Sequence, residues 1–190
     1  MPRESDEALL KRIEARVIPL VSDYGGIPRG SWKPVYAWDL DSTIASTVHR
    51  RHMVDAIRAG GGITWDDYAM KCADDVPIAG SVALMRELRG GCHVIISGRS
   101  GQAEELTWTW LEQHDVPADA ALLRIHGDHT PNGIYKIRVL NALKALGAEV
   151  RLYFEDWREV ATQIEKETGI PVVGINPFDP DELGERQGAI

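Results

Sequence analysis

The stretch VYAWDLDSTIAST, residues 35–47, places two aspartates two positions apart at the end of an apolar run and follows them with small hydroxyl residues. Residues 35–39 read as a short buried strand, so Asp39 and Asp41 stand where that strand leaves the core. Like charges so close repel each other. A chain accepts them at such a point when a metal and a shared proton divide their roles.

Working outward, residues 93–97, 121–125, 150–156 and 171–175 read as four further strands. The weakest is residues 121–125, whose Leu and Ala serve helices equally well. Helical patterns lie between them at residues 80–88, 102–114, 134–146 and 160–168. This alternation predicts an α/β domain, a doubly wound parallel sheet covered on both faces. Ahead of it, Ser5 with Asp6 and Glu7 predicts a helix start, and Leu9, Leu10, Ile13 and Val17 fall on one face. That helix is expected to end before Pro19 and to cover one edge of the domain. The expected division is residues 1–34 for the N-terminal helix and a turn-rich linker, 35–176 for the main domain, and 177–190 for an irregular acidic tail.

Residues 44–76 break the alternation. They carry HRRH at 49–52, a helix-like MVDAIRA, three glycines at 60–62, and ITWDDYAMKCADDVP. This is long for a strand-to-helix connection and predicts a small helical cap over the carboxyl edge of the sheet.

With 190 residues and 44% hydrophobic content, the chain can bury one sizeable core. Twenty-one basic residues against 29 acidic ones, a net charge of −8, argue against a surface built to grip polyanions broadly. A local basic pocket stays compatible with that balance. Cys72 and Cys92 have no zinc spacing and form no disulfide framework, which favours a reducing compartment. There is no signal-peptide pattern at the N-terminus and no apolar run of the roughly 20 residues that a membrane span needs. A soluble, cytoplasmic protein is expected; oligomeric state is not legible.

Ligands of open parallel sheets bind beyond the carboxyl ends of the strands. Those ends hold Asp39, Asp41 and Thr43, then Ser97, Gly98 and Arg99, then Glu155 and Asp156, with Lys136 opening the helix before the fourth strand. Acids, a hydroxyl and a lysine converging on one edge suit phosphoryl transfer. A carboxylate can accept the phosphoryl group, splitting one hard hydrolysis into two steps. A phosphate dianion beside carboxylates needs a hard cation, and Mg²⁺ fits. Ser97 and the turn amides would hold phosphoryl oxygens, and Lys136 would neutralise developing charge. The second aspartate, its pKa raised by its neighbour, would serve as acid and base.

Arg99 reads as a clamp for the substrate phosphate or as a salt bridge that holds its loop. Arg50 and Arg51 read as cations over an acidic site or as a solvated cap face. His49, His52, His126 and His129 lack metal geometry and read as surface or loop residues. The six tryptophans read mainly as core, with Trp65 and Tyr68 either packing the cap or stacking on a base. Neither G-x-x-x-x-G-K-[ST] nor G-x-G-x-x-G occurs, so no P-loop or dinucleotide site is expected.

The four motifs, in order, resemble those of the haloacid dehalogenase-like hydrolase superfamily: Asp-x-Asp-x-Thr at Asp39, Asp41 and Thr43, Ser97, Lys136, and the acidic pair in YFEDW. Within it, WDDYAMKCADDVPIAG, VIISGRSG, WLEQHDVPADAALLR and RIHGDHTPNGIYK are most similar to the 3′-phosphatase domain of phage polynucleotide kinase-phosphatase. The resemblance spans residues 35–175. It implies sheet order 5-4-1-2-3, Asp39 as nucleophile and Asp41 as general acid and base. It also implies Mg²⁺ held by the Asp39 carboxylate, the Asp41 carbonyl and Asp156, with Glu155 in support. Thr130 and Asn132 stand where that domain shows an arginine and an aspartate, and the cap is longer, so the departures fall where substrate is read.

The expected function is a Mg²⁺-dependent phosphomonoesterase acting on a nucleic-acid 3′-phosphate end or a nucleotide. The alternatives are a Mg²⁺-binding module that recognises a phosphorylated partner, and a small-molecule phosphatase or phosphotransferase.

Overall fold

The computed structural model of the chain describes residues 3–22 and 32–175. Five strands form one parallel sheet: β1 (Val35–Trp38), β4 (Cys92–Ser100), β5 (Ala120–Arg124), β6 (Val150–Glu155) and β7 (Val172–Gly174). Their spatial order, β5-β4-β1-β6-β7, is the expected 5-4-1-2-3 read from the other edge. β1 is central, flanked by β4 and β6, so the chain reverses its winding direction at that strand. A crevice opens at such a reversal.

Strand pleat splits the core into two layers. Val35 and Ala37 face one side with Val94, Ile96, Leu122 and Tyr153. That side is covered by α1 (Asp6–Arg16), α7 (Asn132–Ala145) and α8 (Arg158–Thr168), through Leu9, Ile13, Leu140, Leu143 and Ile164. Trp38 faces the other side with Ile95, Leu123 and Phe154, beneath α5 (Ala79–Glu87) and α6 (Glu104–Gln113). The Trp38 and Phe154 rings stack at 3.7 Å between centroids.

The N-terminal helix begins as expected, with the Ser5 hydroxyl accepting from the Ala8 amide. It stops at Arg16, and a short α2 (Ile18–Val21) takes Pro19 into its first turn, where a missing N–H is harmless. Arg12 pins the helix to the sheet edge by donating to the Leu123 carbonyl at 2.9 Å. Most of the linker and all of the tail lie outside the described residues. No helix among the described residues is long and apolar enough to cross a membrane.

One reading needs correction. The second strand does not stop at Ser97: β4 runs to Ser100, and its pairing with β5 jumps from Ser97–Leu123 to Ser100–Arg124. Gly98 and Arg99 are therefore bulged out of register, which re-aims them at the strand end. The tryptophans are mainly core, as expected, with Trp32 and Trp108 packed partly buried against it, but the exceptions extend to Trp157. Trp38 and Trp110 are buried, whereas Trp65 and Trp157 are about half exposed.

The cap is built from β2 (Ala45–Ser46), α3 (Arg51–Arg58), α4 (Trp65–Met70) and β3 (Val76–Pro77), the two short strands pairing antiparallel. Ala69 and Cys72 bury against Ala103 and Leu106, fastening the cap to the start of α6.

Candidate active site

Asp39 continues the central strand, its amide donating to the Phe154 carbonyl at 2.9 Å. The chain then turns sharply. Ser42 takes a positive φ of 67°, unusual for a residue with a side chain, and its amide donates to the Ala45 carbonyl at 2.7 Å. This turn places Asp39 and Thr43 in one buried crevice, with Asp41 a quarter exposed at its mouth.

The first half of the crevice is acidic. Asp39, Glu155 and Asp156 each offer a carboxylate oxygen, all within 4.8 Å of one another. Lys136, fully buried on α7, reaches Asp39 Oδ1 at 2.8 Å and Glu155 Oε2 at 2.6 Å. The Trp157 amide donates to Glu155 Oε1 at 3.2 Å, so both oxygens of Glu155 are engaged. Asp156 is held less tightly, with a long 3.3 Å bond from the Thr43 hydroxyl. The hydroxyl of Thr43, an expected substrate contact, has two acceptors within reach in this structure, Asp156 at 3.3 Å and Asp39 at 3.4 Å.

Burial pushes the Asp39 carboxyl up to about 7, against the pull of Lys136, and the Glu155 and Asp41 charges add to the rise. Burial and the Asp39 charge raise Asp156 to about 6. Both shifts mark a place with too little positive charge: three acids face one lysine. That donor set, all hard oxygens and short by two positive charges, fits a hard dication.

The second half is a grid of two arginines and two aspartates. Arg50, from the cap, donates to Asp41 Oδ1 at 2.8 Å and to Asp75 at 2.8 and 2.6 Å. Arg99, from the β4 bulge, donates to Asp41, to Asp75 at 3.0 Å and to Thr107 at 3.0 Å. Asp75 also meets His49 at 2.9 Å; His49 is exposed, as expected of a surface residue, and reaches inward to this one carboxylate. Burial alone would raise the Asp41 carboxyl, but the guanidiniums of Arg99 and Arg50 outweigh it and hold it below the ordinary range. The expectation that its neighbour's charge raises Asp41 is thus overturned. Of the two readings given for Arg99, the ion pair that holds its loop is present in this structure, and Arg50, read as a cation over an acidic site or a solvated cap face, is buried against the same Asp41 and Asp75.

The remaining expected residues fall around these two halves. Ser97 is buried, its hydroxyl accepting from the Arg99 amide at 3.1 Å. Gly98 allows close approach: a Cβ there would sit 2.4 Å from Asn132 Oδ1. That Asn132 oxygen is itself buried with no hydrogen-bond partner. Arg51 is exposed at the start of α3. The residue missed is Asp75, in ADDVP. An acid beside another acid in a polar cap looks solvated, and its partners lie 24 to 26 residues away, so only the four charges together betray it.

This architecture can be set against known proteins. The chain aligns with a component of the Pnkp1/Rnl/Hen1 RNA repair complex at TM-score 0.59 and 19% identity, over 84% of its own length and 46% of the other's. A Bacteroides fragilis protein described as a haloacid dehalogenase-like hydrolase aligns at TM-score 0.55 and 19% identity, over 80% of this chain and 93% of that one. The chain has the haloacid dehalogenase-like fold. A class C acid phosphatase from Bacillus anthracis shares it at TM-score 0.53 and 19% identity, over 90% and 78% of the two chains. This chain spans less than half the length of the RNA-repair component it matches. No family model and no curated protein matches the sequence.

Proposed function

We propose that this haloacid dehalogenase-like domain is a phosphomonoesterase with Asp39 as its phosphoryl acceptor. The observation that carries the reading is the trio of buried Asp39, buried Glu155 and partly buried Asp156 facing a single lysine at the crossover of the sheet. A fold gains nothing in stability from such an unbalanced cluster, since a buried charge without a partner is destabilising. A site that binds a cation and a phosphate needs one. Mg²⁺ would rest on Asp39 and Asp156, with the Asp41 carbonyl, and would supply charge neutralisation for the incoming phosphate.

The chain's own residues then divide the work. Lys136 holds Asp39 ionised and aimed, while Glu155 fixes Lys136 from its other side. The Asp39 carboxylate attacks phosphorus and the ester oxygen leaves. Ser97 and the amides of the β4 bulge hold phosphoryl oxygens. Arg50 and Arg99 turn part of their hydrogen bonding from Asp41 to the phosphate, as two arginines in a charge-balanced grid can do at little electrostatic cost. As their hold weakens, the proton affinity of Asp41 rises, so that it takes up a proton from solvent at the crevice mouth and passes it to the leaving oxygen. It later takes a proton from the water that cleaves the aspartyl-phosphate.

The fold shared with the RNA-repair component, together with the phage 3′-phosphatase resemblance, supports a nucleic-acid 3′-phosphate end or a nucleotide as substrate. The test is phosphate release, with Mg²⁺ and with chelator, from a 3′-phosphorylated oligonucleotide, nucleoside monophosphates and p-nitrophenyl phosphate. Release that needs Mg²⁺ and vanishes in Asp39→Asn is expected. Silence on the whole panel would leave a phosphate-recognising module as the better reading.

A further inference from the structure

Resting on the phosphomonoesterase reading, we propose that Trp65 is a stacking platform for the nucleobase nearest the scissile phosphate, so that the substrate is read as a nucleotide and not as phosphate alone. Trp65 is 48% exposed, whereas the aromatic rings Trp38, Trp110, Tyr135 and Tyr153 are buried to 1% or less. Packing does not explain it. The cap is fastened by Ala69 and Cys72, and Trp65 belongs to none of the buried clusters.

The indole is nonetheless held firmly. It opens α4 directly after Thr64, whose side chain and that of Asp67 cap the helix reciprocally. Its ring meets that of Tyr68 nearly at right angles, 81°, with 5.7 Å between centroids. The Tyr68 ring in turn lies under the Arg50 guanidinium, 4.1 Å from its carbon, and the Tyr68 carbonyl accepts from Arg50 at 3.0 Å. Arg50 reaches Asp41. A continuous line of contacts therefore runs from the carboxylate at the mouth of the crevice, through a phosphate-sized cation, to an open indole.

Three contacts separate the indole from Asp41: ring to ring at 5.7 Å, ring to guanidinium at 4.1 Å, and guanidinium to carboxylate at 2.8 Å. Indole faces hold any base, because every base offers a π-face, and here the nearby cation is Arg50. This reconciles an acidic chain with a nucleic-acid end.

The experiment compares wild type, Trp65→Ala and Trp65→Phe on three substrates: a 3′-phosphorylated oligonucleotide, the same strand ending in an abasic 3′-phosphate, and glycerol 2-phosphate. Trp65→Ala should raise KM for the base-ended strand by about 5- to 100-fold with kcat nearly unchanged. Trp65→Phe should recover most of that loss. Removing the base should cost wild type a similar factor and Trp65→Ala almost nothing, while glycerol 2-phosphate turnover stays level in all three proteins. Equal losses on all substrates, or none on any, would overturn the platform. Binding is read separately, as quenching of the emission that wild type has and Trp65→Phe lacks, on titration with the 3′-phosphorylated strand. Quenching without turnover on any substrate keeps the platform and removes the phosphatase reading; turnover without quenching does the reverse.

Discussion

The two halves of the crevice carry similar residues in opposite states of balance. On the β1–β6 side, Asp39, Glu155 and Asp156 share Lys136 and stay two positive charges short. On the β4–cap side, Asp41 and Asp75 meet Arg50 and Arg99 one for one. Carboxyl pKa values rise on the first side, and Asp41 is held low on the second. A deficit is a place made for something the chain does not supply. A balanced grid is a place where one anion can be exchanged for another, and it ties the cap to the core while it waits.

Neutralising one acid on each side should give opposite stability signatures. Asp39→Asn relieves the deficit, so turnover should fall by at least roughly 10³-fold while thermal stability is unchanged or higher. Asp75→Ala breaks the balanced side and strands two buried guanidiniums. It should destabilise the protein by about 3–5 kcal/mol in urea unfolding, besides weakening activity. If both variants lose stability alike, the distinction between the halves fails.

Mg²⁺ sharpens the contrast. At about 100 times its dissociation constant it should add about 2.7 kcal/mol of stability to wild type, read as a rise in melting temperature. Asp156→Asn should lose most of that gain, and Arg99→Met should keep it. A rise that survives in Asp156→Asn would place the ion elsewhere.

The smallest effect lies away from the crevice and serves as a control. His93 is buried in the core layer beneath α5. The Trp38 indole can only donate, so the ring accepts at Nδ1, 3.1 Å away, and carries its proton on Nε2 toward the Leu88 carbonyl at 3.2 Å. Burial lowers its pKa below the usual value. The folded state therefore disfavours the proton, and this contribution is complete above about 6.5 and lost as pH falls from there through the lowered value. Wild type should lose slightly more stability than His93→Gln on acidification below that point, with Mg²⁺ binding unaffected. Identical pH slopes for the two would contradict the neutral ring.

How much of this was legible beforehand follows from how local each signal is. The sheet could be read because each strand is a contiguous apolar run, and Asp39, Lys136, Glu155 and Asp156 could be read because each sits at a strand end or a helix start. The grid could not. Asp75 is meaningful only beside Arg50 and Arg99, and nothing in ADDVP marks it as buried. The lowered pKa of Asp41 escaped for the same reason: the adjacent Asp39 is visible in the sequence, whereas Arg99 lies 58 residues away. The β4 bulge hid behind a run that reads as ending at Ser97, although Gly98 hinted at it. Trp65 stood apart from the core already in the sequence, whereas the exposure of Trp157 was masked by the general rule that large aromatics seek the core.

The most direct measurement is to quench the protein in acid during turnover of a phosphorylated substrate with Mg²⁺ and weigh its peptides. A base-labile phosphoryl group on the peptide that contains Asp39, absent from Asp39→Asn, is the predicted result. Steady phosphate release with that peptide unmodified, or a phosphoryl group carried by any other side chain, would contradict the account at its root.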